Sequence, residues 1–447
     1  MIRRLFQCLL LAATGFNSGC DRKSASVPKP LLVVVSGDTA GWITPCGCTS
    51  NQSGGLLRRA TYLSQLATNS NVLYADAGGA PAGTSPYDLT KADAIFRGEV
   101  LMHIAAHNIG AAEAALGANY LRDAQTRLKI PFLSANVRDG TGQLIAPASR
   151  LISIGQTRIA LIGVLSPTLA PKGITISDPR AAIVATAATL KAKSDLIVVL
   201  GYLPDQELEQ LASSLPESDA VIGGPTGQAI KPRRVGPALL AAATNKGKFL
   251  VELTHAPADK GFSTGKVTEL GLSFADDPTQ LANLKTYLAQ LAEKDFPADQ
   301  TGLVSALPPG VPKEYRIAGS ASCKECHPSA HNTWTETAHA RAFATLQTKG
   351  FAADPACLQC HTTGYGLPGG FRSPKRTPLQ ASVGCENCHG PSQAHVSNPK
   401  TRTPFQAPDQ CLRCHDHENS PKFVYSDYWP KIAHAQEKIL DNSQTKH

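Results

Sequence analysis

Residues 385–389 read Cys-Glu-Asn-Cys-His, and this pattern occurs four times in the C-terminal part of the chain. The other three copies are Cys323-Lys-Glu-Cys326-His327, Cys357-Leu-Gln-Cys360-His361 and Cys411-Leu-Arg-Cys414-His415. One helical turn places the two thiols beside the two vinyl groups of a haem, and the following histidine is then the proximal ligand of the iron. Zinc sites also use Cys-x-x-Cys pairs, but they do not require a histidine directly after each second cysteine. The sequence therefore predicts four covalently bound c-type haems.

The composition indicates a globular protein with an unusual C-terminal part. The chain has 447 residues, which is enough for two or three domains. Hydrophobic residues make up 42% and charged residues 17%, a composition that excludes a largely disordered chain. Residues 323–447 hold eight of the 12 cysteines and ten of the 13 histidines. The formal net charge is +8, which four haems with about eight propionates would nearly cancel. The chain has no block of five or six like charges, so nucleic acid is not an expected partner.

The N-terminus has the pattern of an export signal. Arg3 and Arg4 precede a short apolar run, and Ser18-Gly19-Cys20 resembles the cleavage site of a lipoprotein. Residues 1–20 are therefore predicted to be a signal peptide of the lipoprotein type, and residues 21–30 a tether. The alternative is ordinary cleavage with no lipid on Cys20. We expect a protein on the periplasmic side, attached to the membrane by a lipid, with redox proteins as its partners.

Residues 31–275 alternate apolar β-rich runs with amphipathic helical patterns, which predicts an α/β sandwich with a covered sheet. Residues 276–316 are predicted to form a helix and linker, residues 317–436 the haem domain, and residues 437–447 a tail. The haem domain is expected to be mostly α-helical. It has about 30 residues for each haem, so the haems themselves are expected to form most of its core.

The residues around the motifs resemble the cytochrome c-554-like family of tetrahaem electron carriers. The similarity lies in Trp334-x4-His339-Ala340, in Gly384-Cys385-Glu386-x-Cys388-His389-Gly390-Pro391-x3-His395, and in Tyr428-Trp429-Pro430-Lys431-Ile432-x-His434. The resemblance implies that most irons have two histidine ligands, with His339, His395 and His434 as the distal ones. His331 and His417 are weaker candidates for the same role. The family pattern leaves one iron open, here the one bound by His361.

The order of elements in residues 31–274 resembles a calcineurin-like metallophosphoesterase of the 5′-nucleotidase type. Asp38 follows the first predicted strand, Asp76 the second, and Asn119 is a candidate third ligand. Each histidine position of the family's dinuclear metal site is changed: the residues there are Ala40, Tyr120, Tyr202, Pro225 and Gly227. Two carboxylates and an amide hold two metals poorly. The resemblance therefore implies a retained scaffold without hydrolysis, and no second metal in the α/β domain.

Cys46 and Cys48 lie directly after the first predicted strand, where this fold builds its site. An exported pair of thiols at this place can form a disulfide, bind a soft metal, bind a sulfur species, or serve structure alone. Asp38, Cys46, Cys48 and Asp76 are therefore the candidate site of this domain, on a face expected to lie near the haems. His103 and His107, predicted on one helix at a spacing of four, are a weaker metal candidate.

These observations favour an exported tetrahaem c-type cytochrome that transfers electrons, with a non-hydrolytic α/β domain. One alternative is a multihaem oxidoreductase that acts on a small nitrogen or sulfur species at an open iron. The other is an active phosphoesterase or thiosulfohydrolase fused to a cytochrome.

Overall fold

The computed structural model describes residues 29–45, 52–256, 259–304, 307, 312, 314–401 and 410–434. Within them the α/β domain contains fourteen strands: β1 Leu31–Ser36, β2 Asn71–Asp76, β3 Ala106–Asn108, β4 Phe132–Leu133, β5 Val137–Arg138, β6 Ser149–Ile154, β7 Thr157–Leu165, β8 Thr175–Ile176, β9 Leu196–Tyr202, β10 Ala220–Gly224, β11 Ile230–Val235, β12 Ala238–Ala242, β13 Phe249–His255 and β14 Thr264–Glu269. Its helices are α1 Leu56–Asn69, α2 Pro86–Leu101, α3 Ala111–Ala115, α4 Ala118–Leu128, α5 Pro179–Leu190, α6 Asp205–Ser213 and α7 Pro278–Lys294.

Two six-stranded sheets form the centre of this domain. Their strand orders are β14-β13-β1-β2-β3-β4 and β11-β12-β10-β9-β7-β6. Strand β1 pairs in parallel with β2 and antiparallel with β13. The carboxyl ends of β1, β2 and β3 therefore meet at one edge of the first sheet, which is where Asp38 and Asp76 lie.

The packing gives four layers, helices outside and sheets inside. Along β1, Val33 and Val35 pack toward the second sheet, whereas Leu32 and Val34 pack toward α1, α2 and α7. Side chains alternate across a strand, so both faces of this strand must be apolar. A further cluster covers the outer face of the second sheet with α5 and α6. The predicted α/β sandwich is confirmed.

The long apolar strands coincide with the apolar runs of the sequence. The short strand β3 and the largely exposed strands β6, β11 and β14 were not predicted. Helix α2 was predicted to run to His107, but it ends at Leu101. His103 has a φ of 57° in the turn that follows, and His107 lies in β3. The helix predicted within residues 276–316 is α7, which packs on α2 through Asn283 and Gln280.

Residues 314–401 and 410–434 form short helices and turns, in line with the mostly α-helical domain expected from the sequence. They include α8 Pro328–Thr335, α9 Ala342–Lys349, α10 Pro355–His361, α11 Cys385–His389, α12 Gln393–Ser397 and α13 Tyr425–Tyr428. Apart from one small buried cluster around Leu346, Leu358, Tyr365 and Phe371, little apolar core supports them. This is the composition expected where bound groups supply much of the core.

Candidate functional site

Three motif histidines each lie opposite a histidine from a distant part of the haem segment, by which we mean residues 317–434. The ring centroids are 6.1 Å apart for His327 and His395, with an interplanar angle of 24°. They are 6.2 Å apart for His415 and His339, and 5.8 Å apart for His389 and His434.

This spacing fits an iron between the two rings of each pair. A metal–nitrogen bond of about 2 Å on each side, plus about 1 Å from nitrogen to ring centre, separates two axial imidazoles by roughly 6 Å. The three partners are His339, His395 and His434. The residues present therefore fit the haems that the motifs imply.

Hydrogen bonds orient two of the motif histidines and one partner. Nδ1 of His361 donates to the carbonyl of Ala342 at 2.9 Å, and Nδ1 of His395 donates to that of Thr401 at 2.9 Å. A carbonyl can only accept, so each bond fixes the proton on Nδ1 and leaves Nε2 for a metal. In His415, Nδ1 lies 3.0 Å from the Ser420 hydroxyl.

Burial also favours the protonation state that a ligand needs. It lowers the pKa of His339, His389 and His415, and neighbouring histidines lower the pKa of the first two further. A lower pKa keeps the imidazole neutral near pH 7, which is the form that binds a metal.

His361 differs from the other three motif histidines. In the described part of the haem segment, no histidine ring lies opposite it at the spacing of the three pairs. The weaker distal candidates are not brought there. His331 packs edge-on against Trp334 at 5.3 Å, and His417 is exposed.

Glu386, inside the third motif, has a role that the sequence analysis did not assign. Its buried carboxylate accepts hydrogen bonds from the backbone of Ala318, Gly319 and Ser392 at 2.7–2.8 Å. Burial raises its pKa, against the effect of these bonds. The carboxylate therefore joins the chain before the first motif to the chain after the third. Gly384 is needed beside it because a Cβ there would lie 2.3 Å from the Ser320 hydroxyl.

At the strand ends of the α/β domain, Asp38 and Asp76 both bind protein groups. Asp38 accepts from the Thr244 hydroxyl at 2.9 Å and from the Asn245 amide at 3.2 Å. Asp76 is fully buried and accepts from the Ser36 hydroxyl at 2.5 Å and the Gly78 amide at 2.8 Å. Asn119 is not brought to them, because it is exposed on α4.

A fully buried arginine lies next to Asp76. Arg59 Nη1 is 3.7 Å from the Asp76 carboxylate and 3.8 Å from that of Glu99. Its guanidinium also donates to Ser36, Tyr74 and Thr39 at 2.8–3.2 Å. Burial alone would lower its pKa, but Tyr74, Asp76 and Glu99 raise it more, so Arg59 stays charged.

His107 continues this group of charges. Its Nδ1 lies 2.7 Å from Glu99 and its Nε2 lies 3.1 Å from Glu113, with all three side chains fully buried. Burial opposes the charged form, yet the two carboxylates raise the pKa of His107 well above its usual value. His107 in turn lowers the pKa of Glu113, against burial. We call Arg59, Asp76, Glu99, His107 and Glu113 the buried ion cluster.

Arg59, Glu99 and Glu113 were not predicted from the sequence. The sequence does hold a signal for Glu113, because Gly110-Ala111-Ala112-Glu113 begins two residues after the end of β3. Arg59 and Glu99 lie within helical patterns, where charged residues normally face water. His103 is exposed and takes no part in the cluster, so the predicted pairing of His103 with His107 is wrong.

The buried ion cluster does not fit the dinuclear metal centre of the fold family. Single ligand atoms of Asp76, Glu99 and His107 do lie within 4.8 Å of one another. However, Arg59 supplies the positive charge beside two of them, and both ring nitrogens of His107 are paired with carboxylates. The ring of Tyr202 packs over Gly79 and Gly110, so close that a Cβ on either glycine would lie 2.7–2.9 Å from it.

The strand-end edge of the first sheet faces the fourth haem motif. Lys246, next to the residues that bind Asp38, forms an ion pair with Glu418 and lies 5.0 Å above the Trp42 ring. Gln52 donates to the Glu418 carbonyl at 3.4 Å. The predicted proximity of this face to the haem segment agrees with these contacts. Cys46 and Cys48, like residues 1–28, lie outside the described residues.

Comparison with known proteins separates the two parts of the chain. Residues 322–390 match the family described as cytochrome c554 and c-prime. Cytochrome c-554 of Nitrosomonas europaea is 32% identical over 90 residues, which are 17% of this chain and 38% of that protein. The chain thus spans well under half the length of this relative.

The α/β domain resembles solved structures of phosphoesterases. A 5′-nucleotidase precursor from Thermus thermophilus superposes with a TM-score of 0.52 at 20% identity, covering 59% of each chain. The sulfate thiohydrolase SoxB of the same organism gives 0.52 at 19%, covering 60% of this chain and 62% of that one. The calcineurin-like phosphoesterase YfkN of Bacillus subtilis gives 0.50 at 15%, covering 59% and 97%.

Identities this low show that the fold is shared and do not show a shared activity.

No helix among the described residues is long and apolar enough to cross a membrane. In this protein, an α/β domain with the calcineurin-like phosphoesterase fold is joined to a haem-binding segment similar to cytochrome c-554.

Proposed function

We propose that the protein is an exported tetrahaem c-type cytochrome that transfers electrons, with an α/β domain that no longer hydrolyses phosphate esters. The observation that carries the proposal is the set of three histidine pairs, each 5.8–6.2 Å apart between ring centroids. The four Cys-x-x-Cys-His motifs supply the attachment of four haems. Similarity to cytochrome c-554 supports export, and the Cys20 motif supports a lipid anchor.

The three histidine pairs suit electron transfer better than a reaction with a bound substrate. A bound c-type haem supplies reversible one-electron chemistry. Two imidazoles on one iron would leave no position for a substrate. The Nδ1 bond of His395 to the Thr401 carbonyl would also limit its movement when the charge of the site changes. His327 with His395, His415 with His339, and His389 with His434 have this role.

The second candidate function is a redox reaction at the site of His361. It is favoured by the absence, in the described haem segment, of a histidine opposite this ring. An open axial position would accept a small nitrogen or sulfur species. Hydrolysis at the α/β domain is the least favoured alternative, because Arg59 lies beside Asp76, Glu113 pairs with His107, and Tyr202 packs over Gly79 and Gly110.

Mass and spin resonance spectra of the mature holoprotein test the proposal. Its mass should exceed that of the polypeptide by four haems, and the oxidised protein should give three low-spin signals and one high-spin signal. Fewer than four haems after complete maturation contradicts the haem count. Four low-spin signals contradict an open site at His361. Turnover of a small nitrogen or sulfur compound with the high-spin signal present would favour the oxidoreductase over the carrier.

A further inference from the structure

The second haem motif differs from the other three in its contact with the α/β domain. Asp354 lies just before this motif and is the N-cap of α10, the helix that carries Cys357, Cys360 and His361. Its Oδ1 accepts from the Ala356 amide at 3.0 Å and from the Tyr87 hydroxyl at 2.8 Å. Tyr87 belongs to α2 of the α/β domain, so one carboxylate oxygen joins the two parts of the protein.

This contact is buried on both sides. Tyr87 and Tyr287 are each 1% exposed and Asp354 is 7% exposed. Burial, and then the Asp354 carboxylate, raise the pKa of both tyrosines well above the usual value, which keeps the Tyr87 hydroxyl a donor. Ala353, Ala356 and Phe351 pack against the same apolar cluster that holds the two tyrosines.

The rest of α10 is also held in place. Leu358 is buried with Leu346 and Phe371, and at the far end His361 donates to the Ala342 carbonyl at 2.9 Å. The helix is thus fixed at its N-cap by the α/β domain and at its last residue by α9. By contrast, the contacts described between the α/β domain and the chain after the fourth motif lie at the surface: the ion pair of Lys246 with Glu418 and the hydrogen bond from Gln52 to the Glu418 carbonyl.

We propose that Tyr87 and Asp354 are positioning residues for the second haem: their buried hydrogen bond makes the α/β domain the support that sets the orientation of His361 and so the electronic state of the iron it binds. The orientation and hydrogen bonding of an axial histidine tune the potential of its iron. Cys357 and His361 lie on one helix of seven residues, so a shift of its N-cap would move both of them together. This positioning role rests on the proposed function, because it requires that the second motif binds a haem.

The test compares holoproteins by spin resonance and by spectroscopic redox titration. The signal of the second haem is identified as the one missing from a Cys357→Ser/Cys360→Ser variant, whether it is high-spin or low-spin. In Tyr87→Phe, which removes one hydroxyl, that signal and the midpoint potential of that haem should shift while the other three haems stay unchanged. Asp354→Asn, which keeps a carbonyl oxygen at the N-cap, should shift the same haem less.

Tyr62→Phe is the matched control. Tyr62 is also a buried tyrosine whose hydroxyl donates to a carboxylate, that of Glu252, but it lies in the α/β domain away from α10. It should lower stability without moving any haem signal. An unchanged second-haem signal in Tyr87→Phe, or the same shift in Tyr62→Phe, overturns the proposal. If the signal of the second haem is low-spin in the unaltered protein, the proposal of an open position at His361 is wrong. The comparison of Tyr87→Phe with Tyr62→Phe still decides whether Tyr87 and Asp354 position that haem.

Discussion

Replacing Arg59 with methionine tests how much the buried ion cluster contributes to the stability of the α/β domain. The side chain is fully buried, donates to Ser36, Tyr74 and Thr39, and lies 3.7–3.8 Å from two buried carboxylates. Methionine fills much of the same volume but leaves Asp76 without its neighbouring cation and Glu99 with His107 alone. Breaking a buried pair by removing one partner costs about 3–5 kcal/mol. For a domain of this size that loss corresponds to a fall in Tm of about 6–20 °C.

The effect should depend on pH in a defined direction. Burial raises the pKa of Glu99, and Arg59 is one of the groups that oppose the rise, so the pKa should rise further in the variant. A carboxyl with a raised folded pKa does not reduce stability below its unfolded pKa of about 4.3, and reduces it increasingly as the pH rises toward the folded value. The difference between Arg59→Met and the unaltered protein should therefore be largest near neutral pH and smallest near pH 4.

The assay is thermal unfolding of the holoprotein followed by far-ultraviolet circular dichroism, with Arg58→Met as the matched control. Arg58 lies in the same helical turn and is buried, but its guanidinium donates to the carbonyls of Gln52 and Leu270. Its removal leaves no carboxylate unpaired and should cost about 1–2 kcal/mol with little dependence on pH. Equal losses in the two variants, or a loss in Arg59→Met that is independent of pH, would refute the reasoning.

Three further predictions follow from the same geometry. His434→Ala should turn one low-spin haem high-spin, because the His434 ring lies 5.8 Å from the His389 ring. His331→Ala is the control and should leave the spin resonance spectrum unchanged. An unchanged spectrum in both variants would mean that His434 is not an iron ligand. The full-length protein with manganese, zinc or iron should show no phosphomonoesterase turnover; a rate of about 1 per second that disappears in Asp38→Asn would contradict this. His107→Gln should lower the stability of the fold more at pH 6 than at pH 10, as measured by thermal unfolding. A histidine whose pKa is raised in the folded state contributes its full stabilisation below its unfolded pKa of about 6.5, and this contribution is lost as the pH rises through the folded pKa. A larger loss at pH 10 than at pH 6 would mean that His107 is neutral when buried.

Much of the fold could be read from the sequence because its signals are local. Strands such as β1, β7 and β9 are buried on both faces and therefore appear as unbroken apolar runs. The attachment of each haem depends on five consecutive residues, so no tertiary information is needed to predict it. The changed positions at Ala40, Tyr202 and Pro225 were likewise visible one residue at a time, because each lies at the end of a recognisable strand or shortly after it. Tyr120 lies in α4 instead, where its hydroxyl donates to Asp93 at 2.7 Å, so its assignment to a histidine position of the metal site was wrong.

The tertiary structure alone decided which groups meet. His327 lies opposite His395 and His415 opposite His339, pairings that cross other motifs and leave no trace in local spacing. The buried ion cluster assembles from α1, β2, α2, β3 and α3, and the same sequence pattern would suit charges exposed to water. The bond from Tyr87 to Asp354 joins residues from the two parts of the chain. A side chain's chemistry is fixed by its identity, but whether it is buried and what it touches depends on how distant segments pack, and that information is not carried by any short stretch of the chain.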